Sequence, residues 1–166
     1  VSPSDTATAL VALDASMVIR NSAGERVVPA GEFFMPEAVD ITRMTVLEPG
    51  DILTAIRIPA SWTDAAFYFE KVADRNAWDF ALVSVATAMR LDASGMIEDA
   101  RIVCGAVQCT PRRLFDVENL VKGRTPNEET AELAAAAAAD GARPLNSNHY
   151  KIPLMQNLVK RSLRSS

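Results

Sequence analysis

The order in which hydrophobic patterns change period along the chain predicts an α+β fold. Between residues 66 and 107 three runs read as strands: 66–73 alternates aromatic and polar residues, 81–91 carries Val83, Val85 and Met89 at strand spacing, and 96–107 follows the turn Asp92-Ala93-Ser94-Gly95. Turns this short favour antiparallel pairing. Then the period switches to 3.6. Residues 113–122 are apolar at Leu114, Val117, Leu120 and Val121, and Gly123 stops that helix. Pro126 with Asn127, Glu128 and Glu129 opens a second helix through the alanine run 134–139 to Gly141. A third starts near Asn148, tolerates Pro153 in its first turn, and has Leu154, Leu158, Val159 and Leu163 as its buried stripe. Strands followed by helices make an α+β layer arrangement, here a three-stranded antiparallel sheet packed with about three helices.

Ahead of this part, with a seam near residues 59–64, lies a segment of different character. Ser4 or Asp5 can cap a short apolar helix reaching about Leu13. Residues 16–21 form a strand, Ser22-Ala23-Gly24 turns it, and Arg26-Val27-Val28 returns, which makes a hairpin. Residues 29–34 fit a single helical turn. Glu48-Pro49-Gly50-Asp51 is a turn signal, and 52–58 alternates as a strand should.

A chain of 166 residues can bury a real core, and its apolar and charged fractions are ordinary for a globular protein. A net charge of −4 argues against nucleic acid and against an anionic membrane surface, both of which call for a basic patch. The one basic cluster, Lys160, Arg161 and Arg164, reads as charge that favours a helix C-terminus. No apolar run reaches the roughly 18 residues that span a bilayer. The opening Val-Ser-Pro-Ser-Asp has no basic region, so no signal peptide is expected; the absence of an initial Met is expected of a piece of a longer chain. Cys104 and Cys109, without His or further Cys beside them, make a poor zinc site and a poor disulfide framework. Reduced thiols in a cytoplasmic protein are expected.

Chemistry-bearing motifs are few. There is no Gly-x-Gly-x-x-Gly, no Walker loop and no serine elbow. His149 is the only histidine and opens a helix beside Tyr150, where a structural or surface role suits it. Asp14, Glu32, Asp51, Asp74, Asp79 and Asp92 are scattered in turn contexts and read as solvated turn residues. No catalytic set and no metal site is expected. Four features stand above this background. Ser4-Asp5 presents unpaired N–H groups and a carboxylate, or simply caps a helix. Lys71 lies among aromatics in a strand, where it can cover a flat ligand or snorkel. Residues 74–79 place an ion pair and Trp78 between two strands. Gly105-Ala106-Val107, followed by Pro111-Arg112-Arg113, lets backbone approach something closely.

Taken in order, these pieces resemble the medium, FAD-binding subunit of the xanthine dehydrogenase, aldehyde oxidoreductase and carbon monoxide dehydrogenase family of molybdenum hydroxylases. The family's Pro-Ser-Asp and small-residue helix stand as Pro3-Ser4-Asp5-Thr6-Ala7-Thr8-Ala9-Leu10. Its Pro-Gly-Asp-Ile-Leu strand ending Ile-Pro stands at Pro49 to Leu53 and Ile58-Pro59. Lys71, Arg75 and Phe80-Ala81-Leu82-Val83-Ser84-Val85-Ala86 match the opening of its C-terminal domain. Ile97 to Ile102 with Gly105-Ala106-Val107 matches the next strand, and Pro144 to Lys151 with Leu158-Val159-Lys160-Arg161 the closing helix.

The resemblance implies a fold and a role. Residues 1–60 would be the end of the FAD-binding (PCMH-type) domain and 61–166 the C-terminal domain of the flavoprotein subunit. In this family a molybdenum cofactor on a large subunit hydroxylates a purine, aldehyde or related substrate. Electrons pass through iron–sulfur clusters of a small subunit to FAD, and then to NAD+ or another acceptor. By position, Asp5 would meet the ribityl or adenosine side of FAD, Leu53 would pack on the flavin, and Lys71 would reach it from the C-terminal domain, with Ser4 nearby. The family's pyrophosphate loops belong to a glycine-rich N-terminal half, so FAD is expected to need that half as well. The alternative is a non-catalytic subunit-interaction module of the same fold, exposing Phe67, Phe69 and Trp78.

Overall fold

The computed structural model describes residues 4–164; Pro3 of the Pro-Ser-Asp motif lies outside the described residues. Helix α1 (Asp5–Ala12) starts at the expected cap. Ser4 is extended, and its Oγ accepts the Ala7 N–H at 3.3 Å, which satisfies one of the donors a helix start leaves unpaired. The helix ends where Asp14 turns left-handed, with φ of 48°.

Strand β1 (Ser16–Asn21) forms the expected hairpin with β2 (Gly24–Pro29), and the single helical turn α2 (Ala30–Phe33) follows. Strand β3 (Ile52–Arg57) pairs antiparallel on the other side of β1, giving the order β2-β1-β3. Its pattern of apolar residues does not become a buried face: all six residues are exposed. An edge strand keeps neighbours on one side only, and no described element covers β3.

Beyond a short 3-10 turn at Ala60–Trp62 come β4 (Ala66–Val72), β5 (Val83–Leu91) and β6 (Ile97–Gly105), successive antiparallel neighbours as the short turns require. One element differs from expectation. Arg112–Arg113 pairs with Val103 and Cys104 as a two-residue strand β7, so the sheet has four strands, β4-β5-β6-β7. Arg113 was expected to open a helix. Instead the Leu114 N–H is taken by the Ile102 carbonyl at 2.9 Å, and helix α3 runs Phe115–Val121.

Helices α3, α4 (Glu128–Ala138) and α5 (Lys151–Arg164) cover one face of this sheet. Ala134 and Ala138, from the alanine run, are buried in the same cluster as Leu158, Val159 and Leu163 of α5. The stripe of α5 differs by one residue: Met155 is buried where Leu154 is only partly so. The basic residues of α5 do more than complement its dipole. Lys160 bonds Glu128 and Glu132 of α4, Arg164 bonds Glu128, and Arg161 reaches Glu70 of β4.

The opposite face of the four-stranded sheet is covered by α1. Ala7, Val11 and Ala12 share a buried cluster with Ala86 of β5 and Val103 of β6. Strand β5 is therefore buried on both faces from Val83 to Met89, and the first helix of the chain sits on the sheet of its second part. That placement creates the site.

Candidate functional site

The N-terminus of α1 faces the end of β4. Asp5, the first residue of the helix, has its carboxylate 2.6 Å from the Lys71 ammonium. Lys71 also donates to the Asp79 carbonyl at 2.6 Å, so one cation ties together α1, β4 and the 74–79 loop. That loop has its own bracing. The Arg75 amide donates to the Asp79 carboxylate at 2.9 Å, and this bond, aided by the Phe80 amide and the Arg75 guanidinium, holds the Asp79 carboxyl below the usual range. Trp78 adopts φ of 55° and is 98% exposed, a large apolar ring with nothing over it.

Two hollows flank α1. Beside its first turn lies a cavity of about 240 Å³ lined by Ser4, Asp5, Thr8, Ser84, Gly105 and Ala106. Backbone closes its wall. A Cβ on Gly105 would stand 2.4 Å from Ser84 Oγ and 2.5 Å from Thr8 Oγ1, so only glycine fits there. Ala106 follows in the left-handed region at φ of 63°. On the other flank a cleft of about 520 Å³ is lined by Ala9, Leu13, Ile58, Phe67, Phe69 and Thr87. Phe67, Phe69 and Lys71 alternate along β4 and so share this face. Thr87 Oγ1, on the face of β5 that also carries Val85 and Met89, is buried without a hydrogen-bond partner among the described residues.

Of the residues expected at a site, Ser4, Asp5 and Lys71 are brought together. Leu53 is not among them; it stands on β3 opposite Ile19, 38% exposed, and lines neither hollow. His149 is exposed in the turn before α5. Cys104 and Cys109 are both free thiols, and burial pushes the Cys104 thiol up to about 12, which leaves it unreactive. No cluster of His, Cys, Asp and Glu suited to a metal occurs among the described residues, and no helix among them is long and apolar enough to cross a membrane. The expectation of solvated turn carboxylates is corrected at Asp14, Asp51 and Asp79. Each is held by directed bonds: Asp51 by Arg26 at 2.6 Å, Asp14 by Trp62, Arg101 and Arg113.

Sequence reasoning missed Thr8 and Ser84; Asp79 falls in the 74–79 segment it singled out. Thr8 lies one turn beyond Ser4 on the same face of α1, a signal that helical spacing carried. Ser84 gave no such sign, because its role depends on α1 seating on β5. The assembled groups are a cation, a carboxylate, hydroxyls and the backbone of Gly105 and Ala106. Among the described residues nothing here pairs a nucleophile with a base, so the arrangement suits binding and orienting a polar, partly flat ligand.

Residues 68–166 match the family described as CO dehydrogenase flavoprotein C-terminal domain, and residues 1–61 match FAD binding domain in molybdopterin dehydrogenase. The glyceraldehyde dehydrogenase medium chain of Sulfolobus acidocaldarius is 31% identical over 158 residues, covering 95% of this chain and 53% of that protein. The carbon monoxide dehydrogenase medium chain of Hydrogenophaga pseudoflava is 28% identical over 160 residues, covering 94% of this chain and 53% of its own. The chain thus spans about half the length of these curated relatives. In three dimensions, quinoline 2-oxidoreductase from Pseudomonas putida 86 superposes with a TM-score of 0.85 at 27% identity, over 99% of this chain and 56% of that one. The α+β architecture read from the sequence is shared with the quinoline 2-oxidoreductase chain, and each motif quoted above falls inside one or the other matched segment. The chain belongs to the CO dehydrogenase flavoprotein C-terminal domain family, joined on its N-terminal side to a segment of the FAD binding domain in molybdopterin dehydrogenase.

Proposed function

We propose that this chain is the C-terminal portion of the FAD-carrying subunit of a molybdenum hydroxylase of the xanthine, aldehyde or carbon monoxide dehydrogenase type. One observation carries the reading. The Asp5–Lys71 ion pair joins a residue of the FAD-binding match to a residue of the C-terminal match, at 2.6 Å, beside a cavity lined by Thr8, Ser84, Gly105 and Ala106. The division near residue 60 is then the boundary between the end of the flavin domain and the C-terminal domain.

The residues suit a flavin nucleotide. The Asp5 carboxylate accepts from ribityl or ribose hydroxyls, and the N–H groups of the first turn of α1, with Ser4 as cap, offer donors to oxygen atoms. The Lys71 ammonium is a donor that Asp5 and the Asp79 carbonyl hold in place. Leu53 supplies an exposed apolar surface on β3 for the flavin ring. Gly105, without a Cβ, lets the Ser84 and Thr8 hydroxyls close against the backbone that lines the cavity. FAD, when bound, supplies two-electron and one-electron chemistry that no side chain here can perform.

In the whole enzyme this reading has partners. Electrons would arrive from an iron–sulfur small subunit, fed by a large subunit carrying the molybdenum cofactor, and would leave to NAD+ or another acceptor. A cytoplasmic location follows from the same reading. The glycine-rich N-terminal half supplies the remaining flavin contacts, so binding depends on both halves.

The alternative, a non-catalytic interaction module, gains nothing from the exposure of Phe67, Phe69 and Trp78. Uncovered aromatic surface is expected of a flavin subunit separated from its other half as much as of a module. The experiment is a titration of FAD, followed by flavin absorbance and fluorescence, into this chain alone and mixed with the N-terminal half. Binding in the mixture supports the flavin subunit; no binding in either case, with both pieces folded, favours the module.

A further inference from the structure

The closing motif, Pro144 to Lys151, takes no part in the flavin contacts proposed above. Its geometry is specific nonetheless. The Asn148 side chain accepts the Leu145 N–H at 2.6 Å, and its carbonyl accepts the Lys151 N–H at 3.0 Å, which closes the turn and delivers Lys151 as the first residue of α5. A cation is unfavourable at the positive end of a helix. No acidic residue stands in that turn, and no described carboxylate pairs with Lys151. Its Nζ instead donates to the Ala106 carbonyl at 2.8 Å, across 45 residues of sequence.

Ala106 is the residue in need of a hold. Its φ of 63° is a conformation that residues with a Cβ adopt at an energetic cost, and such a residue persists only where its surroundings over-determine it. On one side Gly105 is pressed against Ser84 and Thr8; on the other, Lys151 takes the carbonyl. Gly105 and Ala106 together line the cavity that Ser4 and Asp5 open into.

We propose that Lys151 is a positioning residue for the flavin site: its ammonium clamps the Ala106 carbonyl and thereby holds the Gly105–Ala106 turn as the cavity wall facing Asp5. The inference rests on the flavin reading above. Lys151 does not touch the ligand; it acts through the backbone that does.

The test uses the complete flavin subunit with Lys151→Met and Lys151→Arg, and three readouts: FAD titration, thermal melting without FAD, and amide hydrogen exchange over residues 104–108. Lys151→Met removes a hydrogen bond from a charged donor, so FAD affinity falls about tenfold. Melting without FAD falls only slightly, because removing a cation from a helix N-terminus offsets part of the lost bond. Exchange at Cys104 and Gly105, the paired end of β6 that runs into the turn, rises, and Lys151→Arg restores both affinity and protection. Unchanged affinity in Lys151→Met overturns the proposal, as does an affinity loss that merely follows a lowered melting temperature or that Arg fails to rescue. If the unaltered subunit takes up no FAD, the flavin reading falls. Exchange at Cys104 and Gly105 in Lys151→Met then still decides whether Lys151 holds the turn, and unchanged protection sinks it.

Discussion

Lys71 Nζ stands 2.6 Å from the Asp5 carboxylate, 66 positions before it, and 2.6 Å from the Asp79 carbonyl, 8 positions after it, so both share one cation. In the complete subunit, Lys71→Ala removes that donor and leaves the Asp5 carboxylate without its counter-ion. The expected outcome is weaker flavin binding or altered flavin reactivity. FAD occupancy and the kinetics of flavin reduction are the measurements, and wild-type values in both would take Lys71 out of the site.

Gly105→Ala is expected to destabilise the fold as well as the site. The new methyl would stand 2.4 Å from Ser84 Oγ and 2.5 Å from Thr8 Oγ1. Overpacking of this kind costs about 1–3 kcal/mol. Adding Thr8→Ala and Ser84→Ala clears both oxygens and should recover much of the loss, read by urea unfolding. A triple variant no more stable than Gly105→Ala would mean that the backbone, not the crowding, sets the penalty.

Asp14 joins the two parts of the chain. Its carboxylate accepts from Trp62 Nε1 at 3.1 Å, Arg101 Nε at 2.9 Å and Arg113 Nη1 at 3.2 Å. Trp62 is itself flanked by the guanidinium groups of Arg90 and Arg101. Asp14→Ala strands the indole donor and loosens both arginines, although Arg113 keeps Glu118 and Arg101 keeps Asp99. A loss of about 2 kcal/mol follows from hydrogen bonds to charged groups. Asp14→Asn, which tolerates the left-handed backbone and retains one acceptor, should lose less in the same unfolding experiment.

Asp51 makes folding sensitive to acid. The Arg26 guanidinium, with the Glu48 amide and the Asn21 side chain, holds its carboxyl well below the usual carboxylate range. A group whose folded pKa is depressed stabilises fully above its unfolded pKa, about 4, and loses that contribution as the pH falls toward the folded value. Wild-type melting should therefore drop as the solution is acidified below about pH 4, and part of that drop should be missing in Asp51→Asn. Parallel curves for the two proteins would show that Asp51 contributes nothing to acid lability.

What the sequence alone determined is local. Ser4 as a helix cap, the 16–29 hairpin, the Asp92–Gly95 turn and Leu158, Val159 and Leu163 of the α5 stripe were legible because a cap, a turn or a period involves residues within a few positions of one another. The family motifs were legible for the same reason, as short strings in order. Only the tertiary structure decided what each face meets. Periodicity tells that Ala7 and Val11 are buried, and cannot tell that they are buried on the sheet of the second part. It made 52–58 a strand, and could not tell that β3 would lie open. Asp14 and Asp51 read as solvated carboxylates because their charged partners lie between 25 and 99 residues away. A charge pair leaves a sequence signature only when both members sit on one helix face or across one turn. Across packed layers, the seating of α1 on β5 and β6 brings the charges together, and a one-dimensional string carries no record of it.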